Sequence, residues 1–186
     1  MKTSMKVFVL ASGLSLAAVP HVSADGALPS VVTVEGKQLK LNGSGVRQKS
    51  IFRIKVYTIG LYLEVNSASP AQILTHDGLR QLELLLTHSA PRKRLVEEFH
   101  DGITTNAQAH LPLLAKRLER FLAALPDAKE GQRLVITYVP GQGTRLRGPG
   151  TDSGVIPGKD FADAVFGAWL GETPLDDDLK EQLAGN

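Results

Sequence analysis

The chain has 186 residues, 42% hydrophobic and 22% charged, with a formal net charge of +2 and no cysteine. That length and apolar content suit one globular domain and exclude a fibre, a repeat array or a disordered tail. The lack of cysteine excludes disulfide scaffolds, thiolate-bound zinc, thiol catalysis and a thiol-linked lipid.

The first element reads as an export signal. Lys2 and Lys6 precede an apolar run from Val7 to Val19, Pro20 breaks it, and Val22-Ser23-Ala24 supplies small residues at a peptidase site. This order predicts a secretory leader, residues 1–24, cleaved after Ala24. A run of about 13 residues is too short for a hydrocarbon core, which needs about 20. Cleavage would leave 162 residues, 25–186, as a single domain whose basic and acidic side chains are equal in number. Such a domain has no charge surplus for nucleic acid. No second apolar segment suggests a membrane span. The expected location is outside the cytoplasm, in the periplasm or extracellular space. Arg92-Lys93-Arg94 and Lys116-Arg117 sit among Glu97, Glu98 and Glu119 and read as solvated helix faces.

In chain order, Ser30 to Leu41 reads as a hairpin turning at Glu35-Gly36, and Asn42 to Gly45 as a flexible turn delivering Val46 and Arg47. Ile51 to Glu64 is a central strand with Tyr57 and Ile59 on one face and Phe52, Val56 and Thr58 on the other. Gly60 marks a bulge or a close approach. Leu82 to Leu86 lies in a strand expected between Gly78 and His88, with a helix as the alternative. Pro91 opens a helix whose stripe is Leu95, Val96, Phe99 and Ile103. A second helix carries Leu111, Leu114, Leu118, Phe121 and Leu122 and stops at Pro126. Arg133 to Val139 and Thr144 to Arg147 form a hairpin, and Gly154 to Ile156 a short extended piece. Phe161, Ala164, Val165, Ala168 and Trp169 form a helix ending at Gly171, and Thr173 caps a last helix that stops at Gly185. This order gives an α+β fold, a mostly antiparallel sheet with helices on one face.

The common catalytic motifs are missing. Gly43-Ser44-Gly45 lacks the spacing of a nucleophile elbow, and Gly154 to Lys159 lacks that of a phosphate loop. His76, His88, His100 and His110 show no paired ligand spacing, so no metal is expected. What remains is polar residues on apolar faces. Asn106 continues the Leu95, Phe99 and Ile103 stripe and should point toward the sheet. Tyr57 lies inside the central strand, and Arg47 enters it from the glycine-rich turn. A buried arginine requires an anion, which patterning alone leaves as either a carboxylate of the chain or a ligand.

Arg47 with Lys55-Val56-Tyr57-Thr58-Ile59-Gly60-Leu61-Tyr62-Leu63-Glu64 resembles the first signature of the chalcone isomerase family. Ile156 to Gly171, then Pro174 and Leu179-Lys180, resembles its C-terminal signature, and Phe99 to Asn106 fits the segment between. The resemblance implies an open-faced β-sandwich, a large antiparallel sheet backed by helices with a cleft between the layers. It implies either cyclisation of chalcones or, in non-catalytic members, fatty-acid binding. Arg47 matches the family's substrate-guiding arginine, Asn106 its asparagine and Thr151 its threonine or serine. Phe99 stands at the catalytic tyrosine position and Tyr57 at the strand threonine.

Phe99 cannot donate to a developing oxyanion, a loss worth ~2.7–4 kcal/mol. The expected function is therefore non-catalytic binding of a fatty acid or similar amphipathic anion, without a cofactor. Arg47 and Tyr57 would hold the head group, and Phe52, Leu61, Leu95, Phe99, Ile103 and Val165 the tail. The alternatives are an intramolecular lyase or isomerase acting on an enone or phenol, with Arg47 and Tyr57 as catalytic candidates, and a structural or partner-binding envelope protein.

Overall fold

The computed structural model describes residues 27–49 and 54–186, so the predicted leader and Phe52 lie outside the described residues. Seven strands pair in chain order, each antiparallel to the next: β1 (Val31–Val34), β2 (Lys37–Lys49), β3 (Ile54–Leu63), β4 (Arg80–Leu86), β5 (Arg133–Val139), β6 (Gly143–Gly148) and β7 (Thr151–Asp152). Five α-helices accompany them among the described residues: α1 (Pro70–Thr75), α2 (Arg92–Ala107), α3 (Leu111–Ala123), α4 (Lys159–Leu170) and α5 (Asp177–Leu183). None of the described helices is long and apolar enough to cross a membrane.

Strand alternation sorts the side chains. Tyr57, Ile59 and Leu61 of β3, Leu82 and Leu84 of β4, and Leu134 and Ile136 of β5 enter the main core with the apolar stripes of the helices. Each such side chain removed from water contributes about 1.5–3 kcal/mol. Helix α4 is buried around nearly its whole circumference, Phe161 to Leu170 except Asp163, which makes it the central helix of the layer. The opposite sheet face holds a smaller cluster of Leu39, Tyr62 and Leu79. Residues 27–30 cross that face: the Tyr62 hydroxyl donates to Pro29 O at 2.9 Å and Arg133 donates to Ala27 O at 2.7 Å.

The first hairpin turns at Glu35 and Gly36, with φ values of 49° and 75°, the left-handed pair that suits right-twisted strands. Gly60 is a close approach: a Cβ there would stand 2.9 Å from the side chains of both Leu28 and Leu41.

Three expectations need correction. Asn42 to Gly45 is not a turn, because β2 runs through it with a register shift between Leu41 and Gly43. The glycines serve contact instead: a Cβ on Gly43 would lie 2.1 Å from Gln182 O, and one on Gly45 2.5 Å from the Leu179 side chain. Helix α5 therefore lies directly on β2. Its N-cap is Asp176, whose side chain accepts from Leu179 N, and not Thr173. The third correction adds α1, which the apolar pattern did not reveal; Ser69 caps it and Pro70 opens it.

Candidate functional site

Register places Arg47 of β2 opposite Tyr57 of β3. The Tyr57 phenol is fully buried, donates to Glu98 Oε1 at 3.1 Å and accepts from Trp169 Nε1 at 3.0 Å. Burial first, and then the negative charge of Glu98, hold its pKa well above that of an ordinary tyrosine. The phenol is thus a neutral donor.

Arg47 reaches the same carboxylate. Its Nε stands 3.6 Å from Glu98 Oε1, close enough for charge attraction but beyond a hydrogen bond, and this buried nitrogen has no hydrogen-bond partner among the described residues. Its NH1 donates to Asp176 Oδ2 and to Gln48 O, each at 3.0 Å. The other oxygen of Asp176 caps α5 by accepting from Leu179 N at 3.1 Å. One carboxylate thereby fixes both the start of α5 and the guanidinium.

Glu98 is 4% exposed, which corrects the reading of it as part of a solvated face. It follows Leu95 by three residues and precedes Phe99, so it lies on the flank of the apolar stripe where α2 meets the sheet. That spacing was the available signal for it. Asp176 carried a weaker one, as a residue type that caps helices.

Phe99 and Ile103 are fully buried. The Phe99 ring packs edge-on against Trp169, with centroids 5.3 Å apart and planes at 80°, and lies 6.0 Å from Phe121. Leu61, Leu95 and Val165 belong to the same core cluster. Beside Tyr57, the space expected to be a cleft is occupied by these side chains.

The remaining candidates sit elsewhere. The Asn106 amide does not point toward the sheet: it donates to Gly102 O at 3.1 Å and Thr173 O at 2.7 Å, and accepts from Thr173 N at 3.0 Å. It clamps the turn after α4, whose main chain offers a donor and an acceptor that the apolar stripe could not reveal. Thr151 donates to Ala124 O at 2.7 Å on β7, five places from β2 in the sheet. A cavity of about 820 Å³ lies within the β3–α1–β4 connection, lined by Leu63, Val65, Ile73, His76, Leu79 and Arg80 among others. A second, of about 480 Å³, lies where α2 and α4 meet the turn at 171–173, and Asn106 lines it. Neither is lined by Arg47 or Tyr57.

Chemically, the arrangement sets one internal carboxylate beside a guanidinium and a neutral phenol at the margin of an apolar core. The sequence matches a family described as chalcone isomerase-like over residues 21–185. The chain belongs to the chalcone isomerase-like family. No curated protein matches it by sequence. Among solved structures, it is similar to a fatty-acid binding protein of Arabidopsis thaliana, with a TM-score of 0.64 and 16% identity over 89% of this chain and 96% of that one. At that identity the likeness concerns the fold, and it agrees with the antiparallel sheet and one-sided helical layer of the chalcone isomerase-like architecture.

Proposed function

We propose that this chalcone isomerase-like protein is an exported, non-catalytic binder of a fatty acid or similar small amphipathic anion, with its head group at Arg47 and Tyr57. The observation that carries the reading is the convergence of these two paired residues on a single carboxylate oxygen. A guanidinium and a phenol give an anionic head group charge-assisted hydrogen bonds. Leu61, Leu95, Phe99, Ile103 and Val165 supply apolar surface for a tail, which enters by parting side chains that now touch. Membership of a family whose fold is shared with a fatty-acid binding protein supports the same reading.

Export rests on the leader pattern of residues 1–24. Mass determination of the protein recovered from a periplasmic fraction tests it, and a chain retaining Met1 would contradict it. For binding, delipidated protein is titrated with long-chain fatty acids and examined by native mass spectrometry. Arg47→Ala is expected to weaken binding by about tenfold or more. Equal affinity in that variant would remove the head-group role.

A second reading, a structural or partner-binding domain, is favoured by the filled core beside Tyr57. Failure of the delipidated protein to bind any fatty acid would favour it.

A further inference from the structure

We infer that Glu98 is an internal counter-ligand: its carboxylate holds the Arg47 and Tyr57 receptor and sets which ligands can enter. This rests on the binding reading above and names the residue with which a head group competes. A fatty-acid carboxylate in the receptor would take the phenol O–H and face the guanidinium, and Glu98 does both, at 3.1 Å and 3.6 Å. Its grip is uneven. The phenol bond is of ordinary length, but the approach to Arg47 leaves a buried Nε without a hydrogen bond among the described residues. A carboxylate free to choose its own angle could satisfy that nitrogen as well. At Arg47 Nε, exchange therefore replaces an imperfect contact with a better one.

The displaced side chain also has a place to go. Arg94 is exposed one turn earlier on α2, at the i−4 position, where a Glu98 carboxylate turned outward meets a new counter-charge. Asp176 keeps its hold on Arg47 NH1 during exchange, because its other oxygen is anchored on Leu179 N. A ligand without charge gains nothing from displacing Glu98. The internal carboxylate thus selects for anionic head groups able to replace it.

The single tryptophan of the chain reports the event, since Trp169 donates to the same phenol oxygen that donates to Glu98. Dodecanoate and its methyl ester are titrated into the wild-type protein, Glu98→Gln and Arg47→Gln, following Trp169 emission and heat. Glu98→Gln is expected to bind dodecanoate about tenfold more tightly and the ester within about twofold of wild type. Equal or weaker dodecanoate binding by folded Glu98→Gln, with Arg47→Gln still weakening it, overturns the counter-ligand role and leaves the head-group reading intact. Arg47→Gln without effect overturns the head-group reading, and this inference with it. Should Glu98→Gln fail to fold, Glu98→Asp, whose shorter side chain reaches less far, is expected to tighten dodecanoate by about threefold; unchanged affinity there overturns the inference.

Discussion

Two arginines face the helix side of the same sheet, Arg80 fully buried and Arg47 half-buried, and different balances of main-chain and carboxylate acceptors hold them. Arg80 NH1 donates to three main-chain carbonyls at the end of α1, those of Ile73, Leu74 and His76, at 2.8, 3.3 and 3.3 Å. Its NH2 donates to Asp163 at 2.6 Å, and its guanidinium lies between the rings of Tyr138 and Phe166, 4.9 and 4.8 Å from their centroids. Arg47 has one main-chain acceptor, Gln48 O, and otherwise faces the carboxylates of Glu98 and Asp176. Main-chain acceptors cannot leave without unwinding a helix, whereas a carboxylate on a flexible side chain can. The difference separates a cation that builds the fold from one that can exchange partners.

The largest expected effect breaks the fold-building side of this contrast. Arg80→Ala takes this donor from Ile73 O and His76 O, while Leu74 O keeps Lys159 Nζ at 2.9 Å, and leaves Asp163 with Lys159, which bonds it at 2.6 Å. Each buried carbonyl left without a donor costs about 1–3 kcal/mol. Urea denaturation should show that loss while dodecanoate affinity of the folded fraction stays the same. A loss below about 1 kcal/mol, within the range of an exposed pair, would place Arg80 in the same class as Arg47.

Next comes Gly43→Ala. Its Cβ would meet the main-chain oxygens of Gln182 and Leu183 at 2.1 and 2.7 Å, so α5 must move away from β2. Overpacking of this kind costs about 1–3 kcal/mol. Because α5 begins at the Asp176 that grips Arg47, the variant should alter ligand affinity as well as stability, unlike Arg80→Ala. Thermal melts paired with dodecanoate titration check both; a stability loss with unchanged affinity would separate α5 from the site.

The same two arginines show what the sequence could and could not reveal. Arg47 and Tyr57 stood out because a glycine-rich stretch beside a β-branched strand carries the family's signature; strand periodicity separated Tyr57 from Val56 and Thr58 without saying which face meets the core. The glycines themselves misled: read as a turn, they are the bare surface against which α5 packs, a long-range contact that no local pattern encodes. Glu98 was hidden by its neighbours, since three basic residues and Glu97 make that stretch of α2 look solvated. Its burial depends on β2 and β3 presenting a cation and a phenol at that point. Arg80 lies at the start of a leucine-rich strand, and nothing local distinguishes it from a strand-end surface arginine. Its partners come from α1, which the apolar pattern did not reveal, and from α4, 83 residues away along the chain.

Tyr57→Phe sharpens the exchangeable side. It removes the donor to Glu98 and the acceptor of Trp169 Nε1, leaving a buried indole N–H without its partner. The cost should be about 1–3 kcal/mol, with a shifted Trp169 emission and weaker dodecanoate binding. Unchanged emission would mean that the indole does not rely on this phenol.

The smallest effect belongs to a third arginine, at the surface. Arg145 Nε donates to both oxygens of Asp152, at 2.8 and 3.0 Å, so its bonding geometry is at least as complete as that of Arg47. Arg145, and then the Gly154 N–H, holds the Asp152 pKa down to about 2. Because the folded value is depressed, the pair's contribution is full above the ordinary carboxylate value of 3.8 and is lost as pH falls through about 2. Both side chains are more than a third exposed, at 40% and 38%, so solvent screening limits the contribution to less than about 1 kcal/mol. Asp152→Asn should therefore cost little at pH 7 and nothing measurable below pH 2, as denaturation across that range would record. A cost comparable to that of Arg80→Ala would mean that bond number, and not burial and the nature of the acceptor, ranks the arginines of this protein.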